Sequence, residues 1–502
     1  MVDTAALLDF GAERITRDGF NAPPPATQFG YDAAENRGRR KAPTGQLWSE
    51  DRELTQAKRR AVQSGVRDLR RNFSVAAWMI RRHLDYVASF RFRSTTGVDA
   101  LDDQIDEFVR IWGKPENCDV SGRFSLRRLV RLMEALRVVD GDAFAVKLAD
   151  GRVQIVESDR VREPVGGDRQ YLPRDLDSFV QGVKINTAGK PVAYAVHKRG
   201  ADGTNFEFER TVAARNVVHV AYIDRIDQVR GISPIVAAMN DMRDLYEAKE
   251  YALAKMKVSQ LFALAFFRDA TDAAGNVNDN GEGTDTAPKY DVDFGRGPVL
   301  LDLDPGDKAQ FLESASPATQ FQEFFDVVIG IAMKAVDIPQ SFYNEAHTTF
   351  HSSRAAFNLY LKACRSKQED LQQVLDQLTL WRLQLAIAEG QVQLPAGMTI
   401  GNLRWEWNPD GVQWWDKEAE IRGDAAAIAG GFEDWETVVK SRTGGDIYQH
   451  IDTIARVQDY AKAKGVSLTL AYNTVVARSE KTADVGEQDD AKPENGGDNA
   501  ED

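Results

Sequence analysis

The chain has 502 residues, enough for two to four domains or one elaborate subunit. It is 43% hydrophobic and 28% charged and has no run of 18 apolar residues, so a globular chain with a large core is expected and a transmembrane helix is not. A formal net charge of −14 argues against tight nucleic-acid binding, which calls for a basic contact face.

The first residues, MVDTAALLDFGAER, carry acids and lack the basic-then-apolar pattern of a signal peptide. "NAPPPATQFG" and "ENRGRRKAPTG" break regular structure, so residues 1–45 read as a flexible arm. Charge is uneven: from Arg37 to Arg71 there are eleven Lys/Arg against four Asp/Glu. From about Ser49 to Phe90 the pattern is helical. Val75, Trp78, Met79, His83, Leu84, Val87 and Phe90 follow a three-and-four spacing, with His83 a partly buried histidine on that stripe. Further helices are expected around "LDDQIDEFVRIWG" and "SLRRLVRLMEALRVV".

Between Gly141 and Asp227 the period changes to two. "DAFAVKLADGRVQIVE" is two alternating runs around Asp150-Gly151, a hairpin signal. "QGVKINTAGKPVAYAVHKRG" and "ARNVVHVAY" add strands, in which His197 and His219 read as structural. Ser233-Pro234 then starts a helix, with a capping hydroxyl and proline in the first turn. It runs to about Gln260, about 40 Å at the usual rise. "LFALAFFRD" looks like a strand, and a polar Gly/Asn/Asp-rich insertion follows. In it Asn276, Asn278, Asn280 and Gly281 fit early positions of a calcium loop. The twelfth position is Ala287 where a bidentate Glu is needed, so an exposed loop is the better reading.

A second Ser-Pro start, Ser316-Pro317, opens a helix of about 20 residues, and "IPQSFYNEAHTTFHSS" is short and irregular. From Ser353 the chain is helical to about Glu389, roughly 54 Å, with Ser352 or Ser353 as its cap. Trp405, Trp407, Trp414 and Trp415 cluster next and read as packing at an internal or subunit interface. Short helices follow, with His450 exposed on one. The last stretch, Glu480 to Asp502, has nine Asp/Glu against two Lys and reads as a disordered tail.

No nucleotide-binding P-loop, H-E-x-x-H, paired C-x-x-C or G-x-S-x-G elbow occurs, so an enzyme is not expected. His347 and His351 lie four apart, but only Glu345 and hydroxyls accompany them, so neither a metal nor a cofactor is expected. Two cysteines, Cys118 and Cys364, argue against a disulfide framework and for neutral thiols in a chain made in a reducing cytoplasm.

Two long Ser-Pro helices thus bracket a strand-and-loop insertion, and a third, longer helix follows. This order resembles the lambda-like family of tailed-phage portal proteins. The resemblance is carried by Asp224 to Ser259 and by "LDPGDKAQFLESASPATQFQEFFDVVIGIAMKAVDIPQSFYNEAHTTFHSSRAAF". It includes Leu303, Pro305 and Gly306 at the family's L-x-P-G turn, Asp337-Ile338-Pro339 at its G-I-P break, and Phe350 to Ala356 at its Y-S-S-x-R-A segment. Asp337 stands where the family favours Gly, and His351 where it favours Tyr.

The resemblance implies an α+β portal-type subunit. Its parts would be an arm (1–45), an α+β wing (46–230), a first stem helix (231–260), a clip (261–316), a second stem helix (317–340) and a tunnel loop (341–352). A long helix returning to the wing (353–410), an α-helical crown (411–478) and the tail (479–502) would follow. It further implies a ring of twelve copies at one capsid vertex of the virion, assembled in the host cytoplasm, through which double-stranded DNA passes without sequence specificity. Implied partners are the terminase large subunit, then head-tail connector or adaptor proteins, and the major capsid protein, with no membrane. Tyr343, Asn344, His347, Thr348, Thr349 and Phe350 would face the DNA; Asp269, Asn278, Lys289, Tyr290 and Arg296 would lie on the docking clip. The basic 37–71 region would contact neighbours or the shell. The alternatives are a non-viral oligomeric scaffold and a hydrolase with a scattered site.

Overall fold

The computed structural model describes residues 49–164, 179–203, 205–261, 264–268, 307–311, 319–344, 350–412 and 416–467. The chain starts with α1 (Glu50–Glu53), α2 (Gln56–Asn72) and α3 (Ser74–Val87), then β1 (Phe90–Ser94). Three helices follow, α4 (Asp99–Trp112), α5 (Pro115–Cys118) and α6 (Leu126–Asp140). The Thr55 and Ser125 hydroxyls cap α2 and α6 by accepting from the N–H groups of Lys58 and Arg128. Phe90 belongs to β1, not to the helix whose stripe it continues. α3 stops at Val87, and the chain re-forms as a strand because the segment Trp405–Pro409, far along the sequence, offers it a partner.

The predicted hairpin is present as β2 (Asp142–Lys147) and β3 (Val153–Glu157). With β8 (Val217–Ala221) they form an antiparallel sheet of order β3-β2-β8. A second antiparallel sheet holds β4 (Phe179–Val180), β5 (Val183–Ile185), β6 (Pro191–Arg199) and β7 (Phe206–Ala213) in that order. Alternation along β2 sends Ala145 to the main core and Phe144 and Val146 to a smaller one shared with Tyr194 and Val196. Both faces of β2 are therefore buried.

Ser233 caps a 3₁₀ turn (Pro234–Ala238), which leads into α7 (Met239–Leu261). β9 (Leu264–Arg268) pairs antiparallel with β10 (Asp307–Phe311). α8 (Thr319–Met333) and a 3₁₀ turn (Lys334–Val336) follow, then a 3₁₀ turn at Gln340–Phe342. α9 (Phe350–Ala388) has 39 residues. It starts before the predicted cap, so Ser352 and Ser353 lie in its first turn. No Gly or Pro interrupts the run, and serine is tolerated inside a helix. β11 (Trp405–Pro409) pairs with β1, setting Phe92 opposite Trp407 with ring centroids 5.0 Å apart. The last helices are α10 (Lys417–Ala429), α11 (Trp435–Thr443) and α12 (Ile447–Ala463), and His450 is exposed on α12. Arg93 to Asp446 (3.0 Å) and Lys440 to Glu406 (2.5 Å) moor them to the sheet β1-β11.

One main core joins these parts. Leu69, Met79 and Val138 share it with Ile235 and Leu245 from the start of the α7 segment, Ile329 and Met333 of α8, and Tyr360 and Leu371 of α9. No described helix is long and apolar enough to cross a membrane. Cys118 and Cys364 are buried, and burial pushes their thiols up to about 12 and about 11.

Candidate functional site

The segment between α8 and α9 is where sequence reasoning placed the channel loop. α8 ends in a Schellman motif. Asp337 takes a left-handed conformation (φ 63°, ψ 13°), its N–H bonds the Lys334 carbonyl (3.2 Å), and the Ile338 N–H reaches the Met333 carbonyl (3.1 Å). This position favours glycine, which accounts for the residue expected there; here Asp337 is held by the Lys367 ammonium of α9 at 2.7 Å. Ile338 is buried in the core, and Pro339 then stops any return to helix.

Phe342 packs in an aromatic group with Tyr86 (5.9 Å), Phe357 (6.0 Å) and Tyr360 (5.3 Å), joining the segment to α3 and α9. Tyr343 is exposed and meets Trp78 edge-on at 6.4 Å; burial of part of its ring, then Asp326, raises its pKa. The Asn344 amide donates to Asp326 of α8 at 3.4 Å. Two of the sequence-named channel residues, Tyr343 and Asn344, are thus brought together beside α8. His347, Thr348 and Thr349 lie outside the described residues, and Phe350 is the first residue of α9. Asp269, Asn278, Lys289, Tyr290 and Arg296 also lie outside them, as do Trp414, Trp415, the arm and the tail.

Sequence reasoning missed the outer face of α8. Ile329, Ala332 and Met333 face the core, while Phe324, Val327 and Ile331 stand 54%, 58% and 55% exposed on the opposite side. The signal was present: "FQEFFDVVIGIAM" spreads its apolar residues over more than one helix face, which calls for partners on both. Tyr251 and Leu253 of α7 and Leu359 of α9 are exposed as well.

It also missed the clamp behind α7. Arg230 and Asp142 are fully buried, joined by Nε–Oδ2 at 2.6 Å and Nη2–Oδ1 at 3.0 Å. The other Arg230 hydrogens go to the carbonyls of Val161, Gln181 and Ser158. Burial opposes the Asp142 charge, but Arg230 and then His219 hold its carboxyl well below the usual range. Gly141 and Gly231 pass backbone against backbone beside the clamp, so that a Cβ on Gly231 would stand 2.1 Å from the Gly141 carbonyl oxygen.

Part of the basic region expected to face neighbours is used here instead. Arg59 is buried and donates to Gln181 (3.0 Å) and Ser158 (2.9 Å); burial, then Arg230, lowers its pKa to about 9. Arg67 is bidentate on Asp140 at 2.7 Å. His83 is fully buried rather than partly, because its Nε2–H donates to the Glu134 carboxylate at 2.6 Å. Among the described residues no group of three His, Cys, Asp or Glu could hold a metal ion.

The fold is thus a mixed α+β subunit with two helices leaving and rejoining one core. The chain belongs to the lambda family of phage portal proteins, whose family model matches residues 37–368. No curated protein matches it. Among solved structures it is similar to a chain in the virion of a native gene transfer agent particle, at 14% identity and TM-score 0.43. It is also similar to chains in the neck of the empty particle (C6 symmetry, 14%, 0.46) and of the native particle (C12 symmetry, 14%, 0.44). Each comparison covers 75% of this chain and 92% of the other.

Proposed function

We propose that the chain is the subunit of a twelve-membered portal ring in the virion, at one capsid vertex, through which double-stranded DNA enters and leaves. Residues 46–230 and α9 are the wing, α7 and α8 the stem, 261–316 the clip, 341–349 the tunnel loop and 411–478 the crown. The clip docks the terminase large subunit and then connector proteins, and the ring seats in the shell of the major capsid protein. The ring only conducts DNA and performs no catalysis.

Beside family membership, the observation that carries this reading is the apolar stripe Phe324, Val327 and Ile331. A lone chain leaves it in water, and covering three half-exposed apolar side chains is worth roughly 1 kcal/mol each. A closed ring covers the same stripe in every copy. The net charge of −14 supports a wall that repels phosphate, so DNA slides without the counterion release that would bind it to the wall.

Light scattering tests the assembly: a mass near twelve times 55.9 kDa is expected, and Val327→Asp should shift it to monomers. A monomeric parent chain overturns the ring. Shortening residues 345–349 should leave rings intact and impair packaging or DNA retention; normal packaging and retention would remove the loop's assignment.

A further inference from the structure

The solvent side of α6 is built of arginine. Arg127, Arg128 and Arg131 share it at three- and four-residue spacing, with Arg127 and Arg128 exposed. Arg127 meets Arg91 of β1 through Asp410, which accepts from the first at 2.6 Å and from the second at 3.1 Å. Arg131 meets Arg82 of α3 through Asp85, at 2.6 Å and 3.4 Å. On the other flank stands Arg70, near the end of α2. Burial first lowers its pKa, Asp140 opposes, and the like charge of Arg128 lowers it further. Two guanidiniums thus share each of two carboxylates, while Arg70 and Arg128 have no ion pair among the described residues. Six arginines against two acids leave an excess of four positive charges after every pairing, on a chain whose formal net charge is −14. Such a concentration of one sign draws a polyanion.

The chain carries such a polyanion itself. Residues 480–502, which lie outside the described residues, hold nine Asp/Glu against two Lys. Their reach is set by α12. Its N-cap Asp446 pairs at 3.0 Å with Arg93 of β1, two residues from Arg91 of the patch. α12 has 17 residues, about 25 Å, so its end at Ala463 lies within roughly 45 Å of the patch. The residues between Ala463 and Glu480 can span about 55 Å. The acidic segment is therefore long enough to reach the arginines of its own chain. A segment tethered within reach acts at a high effective concentration, which a free polyanion must exceed to displace it.

We propose that residues 480–502 seat on the arginine face of α6 in their own chain and shield it from other polyanions, nucleic acid first. The contact requires no ring, so its failure leaves the reading above untouched. The test uses a labelled peptide of residues 480–502 and the chain lacking those residues, read by fluorescence anisotropy. The peptide should bind the shortened chain, about tenfold or more weakly at about 0.3 M salt than at about 0.05 M. The full chain, its patch already covered, should bind the peptide about tenfold or more weakly than the shortened chain. Arg70→Gln with Arg128→Gln should weaken peptide binding to the shortened chain by a similar factor. Neither arginine holds an ion pair, so the double variant strands no acid and its thermal melting should be unchanged. A short DNA duplex should follow the same order, binding the shortened chain and, more weakly, the full chain and the double variant. A shortened chain that ignores the peptide, equal peptide binding by full and shortened chains, or binding untouched by the double variant overturns the contact. A duplex that binds the full chain as tightly as the shortened one makes the patch a nucleic-acid surface and overturns the shield.

Discussion

Replacing Asp142 with alanine isolates the clamp behind α7. The carboxylate and its guanidinium partner are both fully buried, so Asp142→Ala leaves the Arg230 charge without a counterion. Nε loses its acceptor, while Nη1 and Nη2 keep the carbonyls of Val161, Gln181 and Ser158. Stranding one member of a buried pair costs about 3–5 kcal/mol. Arg230→Met should cost a similar amount, because Asp142 keeps only the Ser158 hydroxyl, His219 and the Gly231 N–H. The double variant strands neither charge, so it should cost no more than the worse single, a coupling of roughly 3 kcal/mol. Urea unfolding at pH 7, followed by tryptophan fluorescence, measures all three. The carboxyl is held below its unfolded pKa of 3.8, so its contribution is complete above that pH and is lost as pH falls below it toward the folded pKa. Asp142→Asn should lack this acid-dependent loss. A cost below about 1 kcal/mol for Asp142→Ala, or singles that simply add, would refute the argument.

Asp337→Gly removes a left-handed penalty of about 1–2 kcal/mol and an ion pair, exposed on the Asp337 side, worth up to about 1 kcal/mol. Thermal unfolding should show it neutral or slightly stabilised, and Asp337→Val lower than Asp337→Gly by at least about 1 kcal/mol; equal values would remove the left-handed requirement. His197 is buried edge-on against Phe208, and burial, then Arg162, lowers its pKa from 6.5 to about 4. The unfolded chain therefore takes up a proton that the folded chain refuses, so stability is full above about pH 6.5 and falls as pH drops toward 4. His197→Leu should flatten that limb in melting curves between pH 4 and 7; an unchanged slope shows the effect lies elsewhere.

Local signals in the sequence were read well where short-range physics decides the outcome. The change of period around Asp150-Gly151 marked β2 and β3, the Ser233 hydroxyl marked the start of the α7 segment, and a run free of Gly and Pro marked α9. Errors came where distant segments decide. Phe90 fits a helical stripe, and only β11 makes it a strand. Arg230 sits 88 residues from Asp142, and no spacing rule pairs them. The basic count around Arg59 and Arg67 suggested an outward surface, but a charge count does not say which acids lie across the core. The segment between α8 and α9 was legible only as a break between helices; its aromatic anchoring through Phe342 depends on how α3 and α9 pack.

The pairing of β1 with β11 has a consequence for how the protein can change over time. The Ser89 hydroxyl bonds Asp410, 321 residues along the chain, so the contact is a seam that closes a very long excursion. Closing such a loop is insensitive to its length, since each doubling costs only about 0.6 kcal/mol. The stretch between α7 and α8 can therefore be lengthened, trimmed or exchanged while the seam and the core around it keep their geometry. A lineage can redesign that excursion and inherit the chassis unaltered.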